Sequence, residues 1–180
     1  MDSTSDSILE YLFIGSKNTL EEISKCYPYH FIVNCTVNIP FPKYPMPLQL
    51  RIPVEDDIED NIKFIEMMVY TNVLEKMYKC ICQQQNVLVY SNYGQQRSCA
   101  LVACFLIKYL KLKPRQAIRF VSSKRKNAFQ SDIPKNRFEN TIHFYYEYLQ
   151  LEKENKQKNN NNCQKIDEKK ERLTPRIQPI

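Results

Sequence analysis

An α/β fold, with a central, mostly parallel twisted sheet flanked by helices, is what this sequence predicts. Three observations carry that expectation. Short apolar runs rich in β-branched residues, Phe31-Ile32-Val33-Asn34-Cys35 and Val87-Leu88-Val89, have the length of strands buried on both faces. Stretches with helical spacing lie between such runs, the alternation that builds a parallel sheet. The Val87 strand then turns through a tight loop with one glycine, Gly94, and one cation, Arg97, into residues 99–107, apolar on every side as a core helix is. Strand, loop and helix N-terminus in that order make an anion cradle, because successive backbone N–H groups and the helix dipole point at one spot. Arg97 stands where its planar fork can take two oxygens of a bound phosphate.

The remaining elements follow in chain order. Ile8-Leu9 and Tyr11-Leu12-Phe13-Ile14 read as a strand pair stopped by Gly15-Ser16. Thr19-Leu20-Glu21-Glu22 has the form of a capping box, predicting a short helix that begins there. Five prolines from Pro40 to Pro53 forbid a helix and imply an extended surface loop, which returns as the strand Leu48-Gln49-Leu50-Arg51-Ile52. After an acidic loop, residues 53–60, the positions Ile62, Ile65, Val69, Val73, Met77 and Ile81 predict one long amphipathic helix leading back to the Val87 strand. Strand, helix and strand in succession imply a right-handed parallel crossover. Pro114 opens a further helix with Ala117, Ile118 and Val121 inward. A last helix is expected over about 134–149, burying Phe138, Ile142, Tyr145 and Leu149. The boundary expected from this pattern is one globular domain, 1–151, followed by a polar Lys-, Glu- and Asn-rich tail, 152–180, too poor in apolar residues to order itself beyond a helical start.

Composition narrows the function classes. At 180 residues and 43% hydrophobic the chain has room for one core and a tail. No apolar run is long enough to span a bilayer, and the first residues lack a signal-peptide pattern, so a cytoplasmic or nuclear protein without membrane contact is expected. Seven cysteines sit mostly inside apolar patterns, with no Cys-x-x-Cys pair and only two histidines in the chain, so a reducing compartment is expected and neither a metal nor a cofactor. The net charge of +6 is modest, with eight basic residues between Lys108 and Lys126, whereas a nucleic-acid binder is usually more basic, with aromatics interleaved among the charges. That argues against nucleic acid and for solvated helix faces, while favouring anionic partners such as phosphopeptides.

The loop resembles the signature of the cysteine-based protein phosphatases: histidine, cysteine, five residues, arginine, then serine or threonine. Tyr90 stands at the histidine and Ser91 at the cysteine, Gly94 holds the glycine position, and Arg97 and Ser98 match. The resemblance extends over about 150 residues to the small dual-specificity phosphatases. Ile8-Leu9, Tyr11-Leu12 and Ile14-Gly15-Ser16 are similar to their opening strand, and Ile32-Val33-Asn34 to a second block. Ile52-Pro53-Val54-Glu55-Asp56 with Asn61-Ile62 matches a third, and Pro134, Asn136 and Phe138 resemble the start of the final helix.

The resemblance implies a phosphatase-type strand–phosphate loop–helix and phosphomonoester hydrolysis through a phosphocysteine. A thiolate attacks phosphorus, the loop residues Ser91, Asn92, Tyr93, Gly94, Gln95, Gln96 and Arg97 hold the phosphoryl oxygens, and a carboxylic acid protonates the leaving group. Asp56 is that acid by family position, with Asp57 as second choice and Asp60 as a helix cap; Ser98 would hydrogen-bond the nucleophile. Substrates implied are phosphorylated proteins or peptides, phosphotyrosine as well as phosphoserine and phosphothreonine, in a shallow site. Open sheets bind ligands beyond the carboxyl ends of their strands, which places the acidic loop and the phosphate loop on one edge.

Ser91 changes the outcome. A serine hydroxyl stays protonated where a cysteine would ionise, and neither His30 nor His143 lies near it in sequence to act as its base. As written, the chain is expected to bind phosphate without turning it over, because serine keeps the cradle's shape and removes a negative charge. Two origins fit: a substrate-trapping form of a real phosphatase whose nucleophile was replaced, the reading favoured by the retained Arg97, Ser98, Gly94 and Asp56, or a natural pseudophosphatase that reads phosphoproteins. Tyr90 in place of histidine speaks for the second.

Overall fold

The computed structural model describes residues 5–21, 29–42, 48–55, 60–130 and 137–173. Its strands are β1 (Ser5–Leu9), β2 (Leu12–Gly15), β3 (Phe31–Asn34), β4 (Leu48–Arg51) and β5 (Val87–Tyr90). They pair in the order β1-β2-β5-β3-β4. Only the β1–β2 pair is antiparallel; β2, β5, β3 and β4 run parallel, with Gly15 and Asn34 both in register with Tyr90. All four residues of β3 and of β5 are buried, as unbroken apolar runs in the middle of a covered parallel sheet must be. The chain therefore leaves β2, β3, β4 and β5 at one edge of the sheet, and Ser16, Cys35, Ile52 and Ser91 all start there.

The helices are α1 (Asp60–Tyr70), α2 (Val73–Cys82), α3 (Arg97–Leu110), α4 (Pro114–Lys124) and α5 (Arg137–Leu173). Among the described residues, none is long and apolar enough to cross a membrane. Two of them replace the single helix expected over 62–81. The break falls at Asn72, whose φ of 52° is left-handed, a conformation asparagine tolerates better than most residues. The inward face of α1 also differs from expectation. Asn61, Phe64 and Met68 are buried, whereas Ile62 is 67% exposed and Val69 44%. Phe64 decides this: its ring meets Phe138 edge-on at 5.6 Å, and the neighbouring Thr141 hydroxyl donates to Asn61 Oδ1. A phenyl ring has more area to bury than an isoleucine, so the helix rotates to it. After the break, Val73, Leu74, Met77 and Cys80 face the core. Phe138→Ala, which empties the other half of that ring pair, is expected to cost about 3–5 kcal/mol, measurable as a lower denaturant midpoint at unchanged slope.

Of two local helix-start signals, one moved and one held. The capping box lies three residues earlier than Thr19-x-x-Glu22: Ser16 Oγ accepts from the Asn18 amide at 3.3 Å, and Thr19 Oγ1 receives the Ser16 amide at 2.9 Å. Glu22 lies outside the described residues. α4 begins with Pro114 at its first position, as expected, and the Lys113 amide donates to Gln116 Oε1 at 2.9 Å; Ala117 and Val121 are buried, Ile118 half-buried.

The chain divides into two units, Met1–Tyr146 and Glu147–Ile180. Phe138, Ile142 and Tyr145 are buried in the first, as expected, and Leu149 in the second is only half-buried. The helical backbone runs on to Leu173, well into the stretch read from composition as a tail. Its Lys, Glu and Gln residues are good helix formers, and the i,i+4 bond from the Tyr148 hydroxyl to Glu152 Oε1, 2.8 Å, is a local helix contact that needs no core.

Candidate functional site

The loop between β5 and α3 is held from outside by its own carbonyls. The Lys17 amide donates to Asn92 O at 3.1 Å, and the Phe129 amide to Gln95 O at 2.8 Å. Arg125, the residue after α4, gives Nη2 to Tyr93 O at 3.2 Å and Nε to Gly94 O at 2.6 Å; the Cys99 thiol adds a second donor to Gly94 O at 3.2 Å. Across each planar trans peptide the C=O and the following N–H point in opposite directions. Pinning four consecutive carbonyls outward therefore turns the N–H groups of Tyr93, Gly94, Gln95 and Gln96 to the loop's inner side. Gly94 makes the turn with φ +67°, its Cα seated against the Gly15 carbonyl at the end of β2.

At the bottom lie two hydroxyls. Ser91 Oγ and Ser98 Oγ are 3.1 Å apart, both buried. Arg97, 7% exposed, is buried at the start of α3, and its Nη1 donates to Val54 O at 2.9 Å. That bond joins the two loops expected to share an edge, although 43 positions separate them in sequence. Val54 is two positions before Asp56; Asp56 and Asp57 lie outside the described residues. Asp60, expected as a helix cap, lies in the first turn of α1 and reaches back: its Oδ2 accepts the Glu55 amide at 2.6 Å and sits 3.8 Å from Lys63 Nζ. The structure thus brings Ser91, Gly94, Arg97 and Ser98 together, with the carbonyls of Asn92, Tyr93 and Gln95 outside. The Tyr93 side chain is 63% exposed at the rim.

The histidines stand elsewhere. His30 precedes β3, at the opposite edge of the sheet from Ser91, and its Nδ1 accepts the Asn86 amide at 3.2 Å. His143 is exposed on α5. The buried thiols are not reactive substitutes. Burial pushes Cys35 up to about 12, with Arg97 pulling weakly the other way, and Cys99 likewise up to about 12 against the pull of Arg125. Both are neutral near pH 7. Tyr90 is fully buried, which drives its phenol far above the ordinary value, and its hydroxyl donates to Pro40 O at 3.1 Å. Around it pack Tyr29, Ile32 and Leu88.

A family model described as the catalytic domain of dual specificity phosphatases matches residues 12–137. The chain belongs to the dual-specificity phosphatase family. Its fold agrees with solved members. Human DUSP28 superposes with a TM-score of 0.69 at 25% identity, covering 83% of this chain and 97% of that one. A putative dual specificity phosphatase from mouse, solved in complex with zinc tungstate, gives 0.70 at 22% identity over 84% and 92%. The human tyrosine phosphatase-like serine/threonine/tyrosine-interacting protein gives 0.63 at 23% over 82% and 97%. At these last two identities the likeness is one of fold.

Sequence reasoning missed Arg125, which holds two loop carbonyls without belonging to the loop, and Asp6, whose Oδ2 accepts from Arg125 Nη1 at 2.6 Å. Arg125 appeared as one cation in a basic run, with nothing in the local pattern to separate it from Lys124 or Lys126. Both lysines are exposed, while Arg125 is buried.

Proposed function

We propose that this chain holds the phosphoryl group of phosphorylated proteins or peptides in the 91–97 loop and, with serine at position 91, does not hydrolyse it. The phosphate is a dianion, and the loop offers it inward N–H groups, the α3 N-terminus and the Arg97 guanidinium. Asp56 serves as the general acid of the parent reaction and Ser98 as the hydroxyl that steadies the nucleophile position. The domain that does this is 1–151. Phosphotyrosine, phosphoserine and phosphothreonine are the substrate class, and Ser91 makes the chain a trap for them. The observation that carries this reading is the outward pinning of four consecutive loop carbonyls, with a buried arginine, Arg97, at the loop's end.

Tungstate, a phosphate mimic, tests it. Calorimetric titration is expected to show one site per chain, competed by a phosphotyrosine peptide. Arg97→Met should weaken tungstate by about 100-fold or more, the loss of two charge-assisted hydrogen bonds. A parent chain that binds no tungstate, or an Arg97→Met form that binds it equally well, refutes the reading.

One observation favours a natural pseudophosphatase over a trapping form. Tyr90 is built into the core, its hydroxyl bonded to Pro40 and its ring packed on Tyr29 and Leu88. That adaptation is broader than a swapped nucleophile.

A further inference from the structure

We infer that Asp6 and Arg125 form a positioning pair that presets the 91–97 loop for an anion, a role that rests on reading that loop as the phosphoryl cradle. The argument is geometric. Arg125 Nη1 meets Asp6 Oδ2 at 2.6 Å, and the two side chains are only 10% and 34% exposed. With that nitrogen tied to β1, Nε and Nη2 are left directed at Gly94 O and Tyr93 O. A guanidinium is a rigid planar fork, so fixing one nitrogen orients the other two. Those two bonds set the planes of two consecutive peptides, and hence the direction of the Gly94 and Gln95 N–H groups, which point away from Arg125 and into the loop. A charged donor on a carbonyl also polarises its peptide, making the N–H on the far side a stronger donor to phosphate.

The pair therefore acts through the loop and never touches the ligand. Asp6 lies on an edge strand at one end of the sheet order, 119 positions from Arg125. A β1 strand that fastens the phosphate loop in this way is part of the site's machinery as well as of the sheet.

Tungstate titration of the whole chain and four variants tests this, alongside thermal melts without ligand. Arg125→Gln is expected to weaken tungstate by about 30-fold, since two directed charge-assisted bonds are lost. Arg125→Lys keeps the charge but supplies one nitrogen in place of three, and should remain about 10-fold weaker than the parent. Asp6→Asn should weaken it by about 3-fold, and Asp6→Asn with Arg125→Gln should be no weaker than Arg125→Gln alone. Full affinity in Arg125→Lys would mean that charge alone matters and overturns the inference. So does full affinity in a folded Arg125→Gln, or simple additivity in the double variant. Should Arg125→Gln not fold, Asp6→Asn decides by itself: parental tungstate affinity there overturns the pair. A parent chain that ignores tungstate is a different result, because it removes the cradle reading and this inference with it.

Discussion

Replacing Ser91 with cysteine is expected to turn the chain into a working phosphomonoesterase, raising turnover of an aryl phosphate on the order of 10⁴-fold or more, the scale on which a missing nucleophile acts. The expectation comes from what surrounds position 91. A thiol there sits at the N-terminus of α3 beneath inward amides, the setting that lowers a cysteine pKa into the range where the thiolate is populated near pH 7. The Ser98 hydroxyl, 3.1 Å from Ser91 Oγ, is placed to donate to the sulfur. A serine gains nothing from the same field, because its hydroxyl needs a base, and both histidines are placed elsewhere. In the reaction the thiolate forms an S–P bond as the P–O bond to the leaving group breaks. In its proposed role Asp56 would give its proton to that oxygen, and water, returning a proton to Asp56, would then attack phosphorus and break S–P, releasing phosphate and the thiolate. Asp56→Asn in the Ser91→Cys background should therefore cost about 10²–10⁴-fold with a poor leaving group and much less with nitrophenolate. Steady-state rates across a leaving-group series read this directly. Silence of Ser91→Cys while tungstate still binds would mean a protein that only reads phosphoryl groups, and would end the trapping interpretation.

The second large effect is expected at Gly94. A methyl group there would come within 2.5 Å of Arg125 Nη2 and closer still to the Gly15 carbonyl oxygen, on a residue whose φ is +67°. The left-handed conformation alone costs a non-glycine residue about 1–2 kcal/mol. The Gly15 obstacle is backbone in the central part of the sheet, where β2 is in register with β5, so it cannot swing aside. The loop must move instead, and the carbonyls fastened to Arg125 and Cys99 move with it. Gly94→Ala is expected to lower stability by about 1–3 kcal/mol in a denaturant melt and to abolish tungstate binding in the same preparation. An alanine variant that binds tungstate normally would show that the turn's shape is not what holds the anion.

How much of this was legible beforehand depends on the range over which each decision is made. The strands through Ile32 and Leu88 were legible because each run is apolar on both faces, Phe31-Ile32-Val33 and Val87-Leu88-Val89, a pattern that suits a strand covered on both sides. Pro114 at a helix start and Gly94 in the loop are local backbone constraints that any fold must obey. The break at Asn72 was not legible, because Ile62, Ile65 and Val69 continue a good helical period with Val73 and Met77. What overrode it was a contact with Phe138, a residue far along the chain from Phe64. The helix was then free to end where a left-handed asparagine let the next one start on a new face.

The amino-acid order by itself determined the α/β class, the strand–loop–helix around Ser91 and Arg97, and the family resemblance, since each is a sum of short local patterns along the chain. The tertiary structure alone decided that Val54 would meet Arg97, that Tyr90 would reach Pro40, and that Arg125 would bond Asp6 with one nitrogen and the loop carbonyls with the other two. The physical reason is one of scale. Periodicity and turn chemistry act over a few residues, whereas a buried guanidinium must find its carboxylate and carbonyl partners wherever the folded chain brings them, and no local pattern records that choice.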